Sequence, residues 1–190
     1  MDSKKRMMFI LEEDYYFITI KLLSILKALD CDKKPFEDYR KLGIVLEAIK
    51  SEENIIFLQK LIHHSQLNIF DNDKAIKFFC DSRLNVSVIK RVLFFLEKQN
   101  MVELTRSIKN SNINVTLKES EAFNNLIEMK ILDEDLNRCF TVRKLIPRIR
   151  SLKLETLQKK VFGYDEVSKW EDYTGEPADV VFGYNCFYRM

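Results

Sequence analysis

Apolar residues recur at two different spacings along the chain, and the places where the spacing changes predict the element order. Over residues 14–29, Tyr15, Ile18, Leu22, Ile25, Leu26 and Leu29 return at three- and four-residue steps, which predicts a helix with a buried stripe. Its other side carries more apolar groups, so this helix is expected to be well buried. The polar run Asp30-Cys31-Asp32-Lys33-Lys34-Pro35 ends it. Residues 36–50 predict a second helix, with Phe36, Tyr39, Leu42, Val45, Leu46 and Ile49 on one stripe. Ser51, followed by Glu52 and Glu53, reads as the start of a third. A serine oxygen accepts an orphan N–H there, and acids favour the positive helix end. Ile56, Leu58, Leu61 and Ile62 are its apolar positions.

The middle of the chain predicts a short helix over 73–80, with Ile76, Phe79 and Cys80 inward, and a turn at Asp81-Ser82-Arg83-Leu84. A longer helix over 86–99 follows, capped by Asn85 or Ser87. After Asn100 the period falls to two. Residues 101–106 and 113–118 alternate as strands do, with turn residues Lys109-Asn110-Ser111-Asn112 between them. Val102 and Leu104 on one strand, and Val115 and Leu117 on the other, offer apolar faces to the helices. Helix, turn, longer helix and hairpin is the order of a winged helix-turn-helix. Residues 120–131 predict a further helix, capped by Ser120 and lined by Phe123, Leu126, Ile127 and Ile131. From Thr141 onward, Val142, Leu145, Ile146, Ile149, Leu152, Leu157 and Val161 predict helices bent at Pro147. The expected fold class is mainly α with a small β-hairpin: a winged helix-turn-helix-like core with extra N- and C-terminal helices. Its parts are an N-terminal helical region (1–72), the winged-helix core (73–118), basic C-terminal helices (119–162) and an acidic, aromatic tail (163–190).

Composition narrows the function classes. Of 190 residues, 46% are hydrophobic and 32% charged, enough apolar material to exclude disorder as the overall state. Four glycines and three prolines are too few for barrels, sandwiches or nucleotide-binding folds, which need many tight turns. No glycine pattern forms a phosphate cradle. The four cysteines include no CxxC pair and read as scattered reduced thiols. His63 and His64 are adjacent, so on a helix they point about 100° apart and share a metal poorly. They read as surface or helix-end residues. The one enzymatic reading left is a site whose partners meet only in three dimensions. No catalytic residue, metal or cofactor is expected. The apolar run before Glu12 is too short for a secretory signal, and no run reaches the roughly 18 residues of a membrane span, so a cytoplasmic protein is expected.

A formal net charge of +2 names no partner, but the local distribution does. Residues 138–160 hold Arg138, Arg143, Lys144, Arg148, Arg150, Lys153, Lys159 and Lys160, with Glu155 as the only acid. Three readings stay open: phosphate contact with counterion release, a dock for an acidic protein, and solvated helix faces. The helix over 86–99 offers Lys90, Arg91 and Lys98 on the side opposite its core stripe of Val88, Ile89, Val92, Phe95 and Leu96. Phe94 and Glu97 share that outer side and suit a DNA groove badly, and no central Asn or Gln is present to read adenine. Phe94 suits a protein contact better, as an anchor. Arg106, Lys109 and Lys118 on the wing can touch phosphates without reading sequence. In the tail, Tyr164, Trp170 and Tyr173 are candidate anchors for a partner, and a fold-back of the tail on the core is the competing reading.

Four stretches together carry a family likeness: Asp14-Tyr15-Tyr16, Lys41-Leu42-Gly43-Ile44-Val45-Leu46, the winged region 73–118, and the run from Arg143 through Pro147 to Leu152. In these the chain resembles the small middle components of bacterial ABC-three-component systems, of which Lamassu-type anti-phage defence is one. The likeness spans about 40–150 and includes no catalytic motif. It implies a non-enzymatic adaptor that bridges an SMC-like or Rad50-like ATPase and an effector subunit, often a nuclease, and assists non-specific engagement of double-stranded DNA. The alternative is a stand-alone winged-helix transcription regulator.

Overall fold

A computed structural model describes residues 3–63, 68–107, 112–118, 123 and 132–163, with side chains from Tyr15 onward. Among the described residues the elements are α1 (Ser3–Ala28), α2 (Leu42–Ile49), α3 (Glu52–Ile62), α4 (Ile69–Lys98), β1 (Val102–Arg106), β2 (Ile113–Leu117), α5 (Asp133–Leu145) and α6 (Leu154–Phe162). A single 3-10 turn, Tyr39–Lys41, leads into α2. The chain is therefore mainly helical with one two-stranded antiparallel sheet.

The short helix α2 lies at the centre. All eight of its residues are buried, and it packs against α1, α3, α4 and α5. Its closest approach is to α4. A Cβ on Gly43 would stand 2.2 Å from the Ser82 carbonyl oxygen, so only a glycine lets the two backbones meet at this crossing. An aromatic chain ties α3, α4 and α6 together. Phe57 meets Phe78 at 6.4 Å, Phe78 meets Phe162 at 6.1 Å, and Phe79 meets the same Phe162 ring edge-on at 5.2 Å. Offset and edge-on contacts of this kind add to the area each ring buries.

Several sequence expectations hold. Ser51 caps α3 by accepting the Asn54 N–H at 3.2 Å. The hairpin pairs Val102 with Leu117 and Leu104 with Val115, and Val102, Val115 and Leu117 are buried. Asn100, at φ 57°, closes α4: its N–H reaches the Glu97 carbonyl, and the Met101 N–H reaches that of Leu96. This is the left-handed helix stop, in which two orphan carbonyls are recovered. Pro147 stands in the turn between α5 and α6.

Others are corrected. The turn expected at 81–84 is helix, and α4 runs unbroken for 30 residues. No proline or glycine interrupts 69–98, and two polar side chains at the expected break are satisfied in place. Ser82 Oγ donates to the Phe79 carbonyl at 2.7 Å, and Asn85 donates to Glu47 Oε2 at 3.2 Å. The long helix starts at an Asn68–Asp71 capping box rather than near residue 73. Continuity also resets the phase. Ala75, Phe78, Phe79, Ser82, Ile89, Val92, Leu93 and Leu96 face inward, whereas Ile76 and Phe95, expected inside, are exposed. The second helix starts at Leu42, not residue 36, because Phe36 exchanges both backbone hydrogen bonds with Val115 and extends the hairpin as a bridge. α1 begins at Ser3, well before residue 14. The helix expected over 120–131 lies outside the described residues except for Phe123, which is buried.

Candidate functional site

The candidate residues fall on two surfaces, the outer face of α4 and the α5–α6 corner. The corner is built from the end of α1 outward. Asp30, at φ 51°, closes α1 with the same left-handed stop: its N–H reaches Lys27 O and the Cys31 N–H reaches Leu26 O. Two arginines then saturate that helix end. Arg143 donates to the Ala28 carbonyl at 2.8 Å and pairs with Asp30 at 2.7 Å. Arg150 Nη1 donates to the carbonyls of Leu29 at 3.0 Å and Asp30 at 2.8 Å. Cations at a helix C-terminus meet the negative end of its dipole. The Arg143 hydrogen bond also holds the Asp30 carboxyl below its ordinary value.

Beneath these arginines lies Lys41, wholly buried. Its Nζ donates to the carbonyls of Ile149 (2.8 Å), Arg150 (2.9 Å) and Leu152 (2.7 Å), and it sits 4.7 Å from the centre of the Phe36 ring. Three ammonium protons meet three carbonyl acceptors, which folds the 146–153 turn around one side chain. Burial pushes the Lys41 amine down from 10.5 to about 8. A second buried lysine, Lys21, pairs with Asp135 at 2.8 Å and joins α1 to α5. Neither lysine was a candidate in the sequence. Lys41 sits in a stretch of clear helical period, and its acceptors are more than 100 residues away.

The remaining bases of 138–160 divide by environment. Arg138, half-buried, is engaged by Glu134 and Asp135 on its own helix. Lys144, Arg148 and Lys153 are exposed, and Lys159 and Lys160 are half-buried in the last turn of α6. The sequence cluster is thus not one surface: Arg143 and Arg150 look back to α1, and Arg138 is tied along α5.

On α4, Lys90, Arg91, Phe94 and Lys98 are exposed, as is Arg106 at the end of β1. Arg91 lies 3.4 Å from the Tyr15 hydroxyl. Glu97 is not a groove-facing residue; it accepts the Leu104 N–H at 3.1 Å and pins the hairpin to the helix. The sequence missed the rest of the outer face. Ile69 (79%), Phe70 (83%), Ile76 (40%), Leu84 (46%) and Phe95 (54%) are exposed alongside Phe94 (42%), so apolar side chains mark the solvent side of α4 from end to end. The signal was present as a second apolar stripe, visible only once 69–98 is read as one helix.

Lys109, Tyr164, Trp170 and Tyr173 lie outside the described residues, as do His64 and Cys186. His63 is exposed at the C-cap of α3, where its N–H reaches the Gln59 carbonyl. Cys31 and Cys139 are buried free thiols, which burial pushes up to about 12, and Cys80 is half-buried on α4. Among the described residues no group of His, Cys, Asp and Glu is placed to hold a metal ion, and no helix is long and apolar enough to cross a membrane. No family model, curated protein or solved structure matches the chain.

Proposed function

We propose that this protein is a non-catalytic accessory subunit that works by docking, with the outer face of α4 as its principal protein-binding surface. The observation that carries the reading is a single rigid helix whose inner stripe is core and whose outer stripe exposes Ile69, Phe70, Ile76, Leu84, Phe94 and Phe95. Large exposed apolar patches cost solubility unless something covers them, and aromatic groups are the usual anchors of protein contacts. The family likeness supplies the partners: an SMC-like or Rad50-like ATPase and an effector subunit, probed by phage or plasmid DNA in the cytoplasm. Within this reading β1–β2 acts as a wing. It follows the long helix directly, is tethered through Glu97, and presents Arg106 to phosphate backbones. Lys144, Arg148 and Lys153 add a second non-specific contact with double-stranded DNA.

Co-expression with an SMC-like ATPase encoded beside this chain tests the reading. Co-purification is expected, and it is expected to be lost when Phe94 and Phe95 are both changed to Ser. An ATPase that never co-purifies, or that is retained equally by the double variant, overturns the docking role of α4. Lys90, Arg91 and Lys98 on the same helix favour a second reading, a winged-helix DNA-binding regulator acting alone. That reading requires binding to one defined sequence over others at fixed salt; equal affinity for all duplexes removes it.

A further inference from the structure

Two side-chain atoms among the described residues are buried without a hydrogen-bond partner, Arg83 Nη1 and Arg138 Nε. Arg138 is already neutralised by Glu134 and Asp135. Arg83 is not. Its own helix places Phe79, Cys80, Val86 and Ser87 at the three- and four-residue spacings, and none of these is an acid. Nor does Arg83 take part in any ion pair among the described residues. Half-buried, it holds its guanidinium over the ring of the buried Phe79, 5.4 Å from the centre. A buried N–H of a charged group is costly to leave without an acceptor, and native folds rarely do so.

The aromatic chain shows where an acceptor can come from. Phe79 meets Phe162, the last residue of α6, edge-on at 5.2 Å, so the Arg83 guanidinium stands within about 11 Å of the Phe162 ring. Gly163 follows at φ 90° and ψ 164°, a conformation that glycine adopts freely, and the chain leaves the path of α6 there. The first acids beyond it are Asp165 and Glu166, three and four positions after Phe162, and three extended residues span roughly 10 Å. They open a segment, 163–190, that carries six acids against two bases. We propose that Arg83 is a carboxylate-binding site for this chain's own acidic C-terminal segment, with Asp165 and Glu166 supplying the acceptor for its Nη1. The planar guanidinium fork matches a carboxylate, and the aromatic surround strengthens the pairing by keeping water away. Lys159 and Lys160, in the last turn of α6, draw the same acids toward this end of the fold. Of the two readings of the tail, anchors for a partner and a fold-back on the core, the unpartnered donor favours the second for the tail's first residues.

Limited digestion of the full chain with a lysine-specific protease tests the proposal without any partner, because Lys169 is the only lysine after Gly163. Cleavage after Lys169, read by mass spectrometry as loss of 170–190, tracks the population in which the segment is released. The wild-type chain is expected to be cut there slowly. Arg83→Gln, and separately Asp165→Asn/Glu166→Gln, should each speed the cut by roughly tenfold, the equivalent of one lost hydrogen bond to a charged group. Combining them should add little, because both remove the same contact. Reversing the pair, Arg83→Glu together with Asp165→Arg/Glu166→Arg, should return the rate to near its wild-type value, while each half alone stays fast. No folding defect of the halves can produce that recovery. Lys90→Gln, at an exposed base of the same helix, should leave the rate unmoved. A wild-type chain cut as fast as the variants overturns the proposal and hands Nη1 to an ordered water. A reversal that does not recover the slow rate, or an equal effect of Lys90→Gln, overturns it too.

Discussion

Replacing Lys41 by Met tests how the α5–α6 corner is held. Methionine keeps the unbranched stem and removes the Nζ, so the Ile149, Arg150 and Leu152 carbonyls each lose a donor. A buried acceptor left unpaired costs about 1–3 kcal/mol, and three at the lower half of that range cost about 3–6 kcal/mol. Against this stands the cost of keeping an ammonium away from water. The lowering from 10.5 to about 8 is set mainly by burial. At about 1.36 kcal/mol per pH unit it corresponds to about 3 kcal/mol held against the charged form. Lys41→Met recovers that amount at neutral pH. The net loss at pH 7 is therefore about 0–3 kcal/mol, smaller than the three lost contacts alone suggest.

The pH dependence separates the two terms. Between about 8 and 10.5 the unfolded chain carries a proton on Lys41 that the folded chain does not, so the wild-type protein gains stability as pH rises. The penalty is fully present below pH 8 and is relieved above it. The Met variant has nothing to titrate there. The gap between the two proteins should widen from pH 7 to pH 10, by up to about 3 kcal/mol and no faster than about 1.4 kcal/mol per unit. Cys31 and Cys139 work the other way. Their thiols are pushed up to about 12, so above pH 9 the unfolded chain ionises first and stability falls. Burial, the main cause, is common to both proteins, and the Lys41 charge is only the smallest influence on Cys31, so most of that loss cancels in the difference. Urea unfolding followed by far-UV circular dichroism at half-unit pH steps measures it. A gap that stays flat, or narrows with rising pH, would refute the argument, because the carbonyl cage would then favour the charged amine by more than burial disfavours it.

Two further substitutions probe the frame of the α4 face. Gly43→Ala brings a methyl group to within 2.2 Å of the Ser82 carbonyl unless α2 and α4 separate, so a loss of about 3 kcal/mol is expected, with a fall of roughly 6–12 °C in Tm by thermal denaturation; an unchanged Tm would mean the crossing yields freely. Glu97→Ala removes the acceptor of the Leu104 N–H, and hydrogen exchange at that amide should quicken by about tenfold or more while the Leu96 amide stays protected; equal protection before and after would show that the side chain does not pin the hairpin.

Local signals carried much of the fold. Ser51, Asn100 and Pro147 mark ends and bends by rules that operate within a few residues, and the period-two strands stand out from the helices around them. The same local rules misread 81–84. Asp81, Ser82 and Asn85 are turn formers when their side chains compete for nearby backbone, yet here Ser82 bonds back one turn within the helix and Asn85 finds Glu47 on α2. The unbroken ladder from Ala75 through Phe78, Ser82 and Ile89 to Leu96 was the better guide, because three- and four-residue steps continue across the supposed turn without a slip. A break there also hides the exposed stripe, since Ile76 and Phe95 each read as inward within a short window. Lys41 was illegible for a different reason. A lysine amid apolar neighbours shows its role only when the carbonyls that accept from it, far along the chain, have been folded around it.

The basic segment teaches the same lesson about charge. Eight bases against one acid over 138–160 read as one polyanion-binding surface. Helix ends account for much of it. Arg143 and Lys144 fall in the last turn of α5, Lys159 and Lys160 in that of α6, while Asp133, Glu134, Asp135 and Glu155 fall in the first turns. Each position matches the sign of the nearby helix dipole. Arg143 and Arg150 serve a third helix end, that of α1, where their guanidinium groups replace the water its last carbonyls would otherwise bind. A segment that lies between two helix C-termini and against a third is basic for reasons of folding, before any partner is considered. The charge left over for phosphate is narrower than the sequence cluster: Lys144, Arg148 and Lys153, exposed around the 146–153 turn that Lys41 holds from beneath. Any DNA contact made by this corner therefore depends on the buried lysine for its shape and on those three surface residues for its charge.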